Sequence, residues 1–251
     1  MKSKKLWMGL AFLGVTAIVA LAVVLLRKPS VAYGGRPFFH GEGTAFRYTG
    51  QGLDNGEILV VVGVDVDDPE ALRAYREANA KRSQALIAQG EARPIWVQVT
   101  FLRPLAADQV RALVEETDFR VDSFLMVGHT PDGEKTSTIL NFPIGEDFPE
   151  TLAETLSWQE IETLVLDQGY VPPATLNDPM APKTLDGIML LQGEVETTEQ
   201  GLGRWLADER VYLIDTAGVE VRELAARRHA DAVADREIVV SLPSPFWRFD
   251  W

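Results

Sequence analysis

Trp96-Val97-Gln98-Val99-Thr100-Phe101, followed by Val110, Leu113 and Val114 and then by Phe119 to Val127, is the stretch on which the fold turns. Val97, Val99 and Phe101 alternate with Gln98 and Thr100, the two-residue period of a strand with one buried face. Val110, Leu113 and Val114 have the three- and four-residue spacing of a helix face. Phe119 to Val127 returns to strand composition, and Pro131-Asp132-Gly133 turns the chain into a further strand at Thr136 to Asn141. The segment therefore reads β-α-β-β.

The same order recurs further on. Ile188 to Val195 reads as a strand, and Thr197 and Gln200 have the spacing of a capping box. Leu202, Trp205 and Leu206 repeat the spacing of Val110, Leu113 and Val114. Val211 to Asp215 is a strand, Ala217-Gly218 a turn and Val219 to Leu224 another strand. Residues 96–141 and 188–224 then look like duplicated β-α-β-β units, although any two α+β segments can share such a pattern. The expected class is α+β, a mainly antiparallel sheet with helices on one face, ferredoxin-like by analogy.

Upstream, Phe46-Arg47-Tyr48, Asp54-Asn55-Gly56 and Glu57 to Val66 form a hairpin pattern, with Asn-Gly at the turn. Asp68-Pro69-Glu70 opens a helix, because Asp caps, Pro suits the first helical position and Glu meets the positive end of the dipole. That helix is expected to run to about Gln89, with Gly90 as its stop. A further helix is expected over about 149–166.

The first 28 residues are of a different kind. Leu6 to Leu26 is an uncharged, nearly all-apolar run of 21 residues. At about 1.5 Å per residue it matches the roughly 30 Å of a bilayer core. Lys2, Lys4 and Lys5 precede it, and Arg27 and Lys28 close it. Ser30-Val31-Ala32 has a small-x-small pattern, but the apolar run exceeds the roughly 7–15 residues of a signal peptide. The expectation is a retained membrane anchor. The lysines before it favour a cytoplasmic N-terminus and an extracytoplasmic remainder.

Of the 24 Lys+Arg, five precede residue 29, so 19 face 37 Asp+Glu and residues 29–251 carry a net −18. Such a region repels nucleic acid and anionic lipid. The chain has no cysteine, which excludes disulfides, thiolate metal sites and cysteine nucleophiles. No cofactor-binding pattern is present. The reading divides the chain into an anchor (1–28), a Gly- and aromatic-rich tether (29–43), a first α+β unit (44–170), a Pro-rich connector (171–184) and a second α+β unit with an aromatic tail (185–251).

Two places carry candidate function. At the end of Val60-Val61-Val62-Gly63-Val64, Asp65 and Asp67 stand two residues apart. This pattern resembles the aspartate-nucleophile motif of haloacid-dehalogenase-type phosphohydrolases. The resemblance implies nucleophilic attack by Asp65, acid/base work by Asp67 and a Mg²⁺ between them. It departs from the family where Asp68-Pro69 replaces the usual Gly-Thr. The plainer reading makes Asp68 a helix cap and leaves Asp65 and Asp67 solvated at a strand end. The other place is Phe246-Trp247-Arg248-Phe249-Asp250-Trp251. Trp247, Phe249 and Trp251 alternate and give an extended tail one aromatic face, the kind of surface that meets a partner. Phe38 and Phe39 in the tether are candidates for the same surface; the alternative is a tail folded as an edge strand onto its own core. His40, His129 and His229 lie in separate segments and read as ordinary surface residues. The functional expectation is an accessory or scaffold subunit binding a membrane or envelope protein, with a Mg²⁺-dependent phosphohydrolase or a small-ligand sensor domain as alternatives.

Overall fold

A computed structural model describes residues 38–129, 133, 135–141 and 184–245. The elements are, in chain order, β1 (Phe38–Gly43), β2 (Phe46–Gly52), β3 (Ile58–Gly63), α1 (Pro69–Ala88), β4 (Pro94–Leu105) and α2 (Ala107–Thr117). There follow β5 (Arg120–His129), β6 (Lys135–Asn141), β7 (Thr184–Glu196), a π-helical turn (Glu199–Gly203) and α3 (Arg204–Ala207). The last are β8 (Val211–Asp215), α4 (Ala217–Arg228), α5 (Ala230–Val233) and β9 (Ile238–Ser241). The class is α+β, and the described part is mostly sheet. It divides into two compact units: residues 38–64 with 220–241, and the remainder.

The first unit is a four-stranded sheet in the order β1-β2-β3-β9, antiparallel except where β3 pairs β9 in parallel. The expected hairpin is present. Gly56 has φ +90° and its N–H donates to Leu53 O, while Asn55 Oδ1 accepts from Glu57 N at 3.1 Å. The tether expected over 29–43 is corrected where it is described, since residues 38–43 are strand β1. Its glycines face aromatic register partners: Gly41 opposite Tyr48, Gly43 opposite Phe46, and Phe39 opposite Gly50 on β2. Each ring lies across its glycine, so that a Cβ on Gly50 would stand 2.1 Å from Phe39 Cζ. The absent side chains make room for the rings, an arrangement known to rescue glycine in strands. Phe39, Phe46 and Tyr48 are thereby buried.

The second unit is built on a five-stranded antiparallel sheet in the order β6-β5-β7-β4-β8. The crossing β4-α2-β5 steps over β7, and the crossing β7-π-turn-α3-β8 steps over β4, so the two interlock. The sheet joins strands on both sides of the expected connector, and the boundary drawn there runs through one sheet. Val110 and Leu113 of α2 share a core with Leu202 and Trp205, the positions that matched them in sequence. Trp205 is fully buried, 5.3 Å from the Phe119 ring and 6.3 Å from that of Phe101.

Two local expectations are overturned. Residues 217–228 are helix α4 rather than a turn and a strand. Val219 and Val221 mimic strand alternation, but the buried residues are Ala217, Val221, Leu224 and Ala225, which recur at helical spacing. The second repeat thus ends in a helix where the first ends in a strand, and only β-α-β recurs. The cap before the π-turn is Thr198, whose Oγ1 accepts from Gly201 N at 2.9 Å, not Thr197. Thr197 instead donates to Glu91 O and accepts from Arg93 N, tying the end of β7 to the loop that leads into β4. The segments 1–37, 142–183 and 246–251 lie outside the described residues, and with them the expected anchor, the helix near 149–166, the Pro-rich connector and the aromatic tail. Among the described residues no helix is long and apolar enough to cross a membrane.

The aromatic–glycine pairs supply a test. Gly50→Val drives a β-branched side chain into the Phe39 ring and is expected to cost about 1–3 kcal/mol, the usual range for overpacking a core. Val61→Thr, on the exposed side of β3, is expected to stay within about 0.5 kcal/mol. Urea unfolding of the two variants measures the difference.

Candidate functional site

Helix α1 is started by the motif that the sequence singled out. Asp68 Oδ1 accepts from Glu70 N at 2.9 Å with Pro69 in the first turn, and the helix stops at Gln89 before Gly90, where φ is +69°. Its buried stripe is Leu72, Tyr75, Asn79, Ser83 and Leu86. The spacing is that of an apolar face, yet its middle three residues are polar. Burying such groups is costly unless each finds a hydrogen bond.

The partners come from the end of β8. Tyr75 donates its hydroxyl to Asp215 Oδ2 at 2.6 Å, and Asp215 Oδ1 accepts from Ala217 N at 3.0 Å. Asn79 Oδ1 accepts from Thr216 N at 2.8 Å and from Arg82 Nη1 at 2.8 Å, while Asn79 Nδ2 donates to Tyr75 O. Ser83 Oγ lies 3.4 Å from Thr216 Oγ1. The result is a buried polar clamp between α1 and the β8–α4 junction.

Burial dominates its electrostatics. Loss of solvent pushes the Asp215 carboxyl up to about 6, against the opposing pull of the Tyr75 hydroxyl, the Ala217 N–H and the Arg82 charge. Burial and the neighbouring carboxylate push the Tyr75 phenol well above its ordinary value. At neutral pH the clamp holds an ionised carboxylate stabilised by two donated protons, with Tyr75 neutral.

The outer side of α1 borders an open groove of about 390 Å³, lined by Arg73, Arg76, Glu77 and Ala80 with Leu206 and residues 211–214. Arg76 Nε donates to Tyr212 O at 2.9 Å, and its guanidinium carbon lies 3.9 Å above the Tyr212 ring. Asp215 and Tyr212 thus fix two consecutive residues of one helix, Tyr75 and Arg76, to one strand.

The residues nominated from sequence fall elsewhere. Asp65 and Asp67 are exposed, and Asp65 Oδ1 accepts from Asp67 N at 3.0 Å. Asp65 and Asp68 each accept a backbone N–H two residues on, and Asp67 is exposed. Phe39 is buried and stacked 4.4 Å from the His229 ring, while Phe38 is half-buried. Trp247, Phe249, Trp251 and Phe246 lie outside the described residues. His40 is exposed, His129 Nδ1 lies 2.9 Å from Asp186 Oδ2, and His229 is half-buried rather than a surface residue, its pKa lowered by loss of solvent and by His40 and Arg228. Among the described residues no three His, Cys, Asp or Glu side chains converge on a point that would hold a metal.

Sequence reasoning missed Tyr75, Asn79, Asp215, Arg76 and Tyr212. A signal was present for the clamp, since Tyr75, Asn79 and Ser83 recur every four residues between Leu72 and Leu86. Comparisons with models of known families, with curated proteins and with solved structures find no match.

The clamp dictates a pH dependence. Because the folded-state pKa of Asp215 lies above that of the unfolded chain, its contribution to stability is complete below about pH 4. It is lost as pH rises through about 6. The expected loss is about 3 kcal/mol across that window. Asp215→Asn is expected to remove this component, flattening unfolding free energy between pH 4.5 and 7 in urea titrations.

Proposed function

We propose that this chain is a single-pass membrane-anchored accessory or scaffold subunit whose acidic extracytoplasmic region binds another membrane or envelope protein. The observation that carries the reading is the charge-free run Leu6 to Leu26 between lysine-rich flanks. It has the length of a bilayer span and no polar face to turn toward water. The interlocked order of β4-α2-β5 and β7-α3-β8 supports a ferredoxin-like arrangement for the larger unit, with β6 added at its edge.

The docking element in this reading is the aromatic tail. Gln98 Nε2 donates to Pro243 O at 2.7 Å, and Leu242 and Pro245 are buried. The backbone entering Phe246 therefore leaves from a fixed point on the larger unit. A tail that starts from a held anchor loses less freedom on binding than one that starts from a free end. The alternating Trp247, Phe249 and Trp251 supply the large amphipathic rings that dominate protein interfaces. The net −18 of residues 29–251 favours a partner with a basic contact face.

Two measurements test the reading. Capture of the full chain from membranes in mild detergent is expected to bring down a stoichiometric protein. Trp247→Ala with Trp251→Ala is expected to weaken that association by about 2 kcal/mol or more, with unchanged thermal unfolding. A chain that comes down alone, or a double variant that binds as before, removes the support for a docking tail. The chain has no native cysteine, so Asp132→Cys reports topology without background. Labelling by a membrane-impermeant maleimide in intact cells is expected, and protection until lysis would place the region in the cytoplasm.

A further inference from the structure

The groove on the outer side of α1 belongs to neither the anchor nor the tail, and its chemistry is specific. Its volume of about 390 Å³ lies within the range of small-molecule sites, roughly 300–1,000 Å³. The guanidinium of Arg76 is already oriented, stacked on Tyr212 and tied through Nε to the Tyr212 carbonyl. Part of the ordering cost of binding is therefore met before a ligand arrives. Among the described residues neither Nη of Arg76 has an acceptor, and Arg73, three residues earlier on the same helix, has none at all. Helical residues three apart lie side by side, so two guanidinium groups border one opening.

The remaining lining sets limits on the ligand. Ala80, Leu206 and Val211 present apolar wall. Among the described residues Glu77 is the one acidic residue of the lining, against two arginines, on a chain of formal charge −13. A planar carboxylate matches the fork of a guanidinium. A doubly charged phosphate would meet the same arginines but also the Glu77 carboxylate. We propose that the groove bordered by Arg73, Arg76 and Tyr212 binds a small monocarboxylate with an apolar body. The headgroup sits on the two arginines and the body lies against Ala80, Leu206 and Val211. This proposal stands independently of the anchor and of the docking tail.

The test uses the full chain in detergent micelles with ¹⁵N-labelled arginine, following the side-chain Nε–Hε signals. Those of Arg73 and Arg76 are identified by their loss in Arg73→Gln and Arg76→Lys. Phenylacetate is the probe, phenylacetamide its neutral counterpart and inorganic phosphate the competing anion. Phenylacetate is expected to move both signals saturably, with a dissociation constant on the order of 1 mM for exposed charges. Phenylacetamide should leave them in place. Arg73→Gln removes no bond within the described residues and is expected to weaken binding about tenfold with the fold unchanged. Arg76→Lys retains the charge but loses the fork and the stacking, and a similar loss is expected. Absence of a saturable shift overturns the proposal, as does an equal response to phenylacetamide. Affinity unchanged in both variants, or tighter binding of phosphate than of phenylacetate, overturns it as well.

Discussion

The pairing of β4 with β7 is the contact on which the larger unit depends. Each of these strands begins one β-α-β crossing and separates the two strands of the other, so neither crossing closes without it. Their register places Gln98 opposite Gln192, with apolar Val97, Val99 and Leu191 around them. Gln192 Nε2 donates to Gln98 Oε1 at 2.8 Å, and Ser123 Oγ donates to Gln192 Oε1 at 2.7 Å. A polar chain thus runs from β5 through β7 to β4. A one-residue slip would move every side chain to the other face and strand these amides against hydrocarbon. The apolar face drives the sheet together, and the amide chain fixes which register it takes.

Legibility in the sequence followed the range of the interaction. Signals that act within four residues were read correctly: the Asn55-Gly56 turn, the Asp68 cap with Pro69, the Gly90 stop and the helix face Val110-Leu113-Val114. Failures arose where a distant partner decided the outcome. Gly41 and Gly43 look like a flexible link until β2 brings Tyr48 and Phe46 across them. Val219 and Val221 look like a strand until Ala217 and Ala225 are seen to be buried beside them. Thr197 sits one residue before the true cap, because its hydroxyl is drawn to Glu91 and Arg93 in the loop before β4.

The candidate site shows the same division more sharply. Two apolar strands each end in aspartate, Val60 to Val64 in Asp65 and Val211 to Ile214 in Asp215. Read as sequence they differ little, except that more carboxylates follow the first. In the fold Asp65 is exposed and spent on a local turn, whereas Asp215 is wholly buried against Tyr75. Burial, not the local motif, separates the ordinary carboxylate from the perturbed one, and burial is a property of tertiary packing. The polar spacing Tyr75-Asn79-Ser83 was the one local trace of it.

Why the clamp is retained at the cost of burying a charge follows from what α1 must do. An apolar stripe would hold the helix on the sheet but would tolerate sliding, since hydrophobic contact is non-directional. The bonds from Tyr75 to Asp215 and from Thr216 to Asn79 fix its position along the strand and its rotation about its own axis. Rotation matters on the other side, where Arg76 must meet both the carbonyl and the ring of Tyr212. A turn of the helix by one residue, about 100°, would carry Arg73 and Arg76 away from the groove altogether. The buried carboxylate is thus the directional element that gives the exposed arginines a fixed address, and the inner and outer faces of α1 form one mechanical unit with β8.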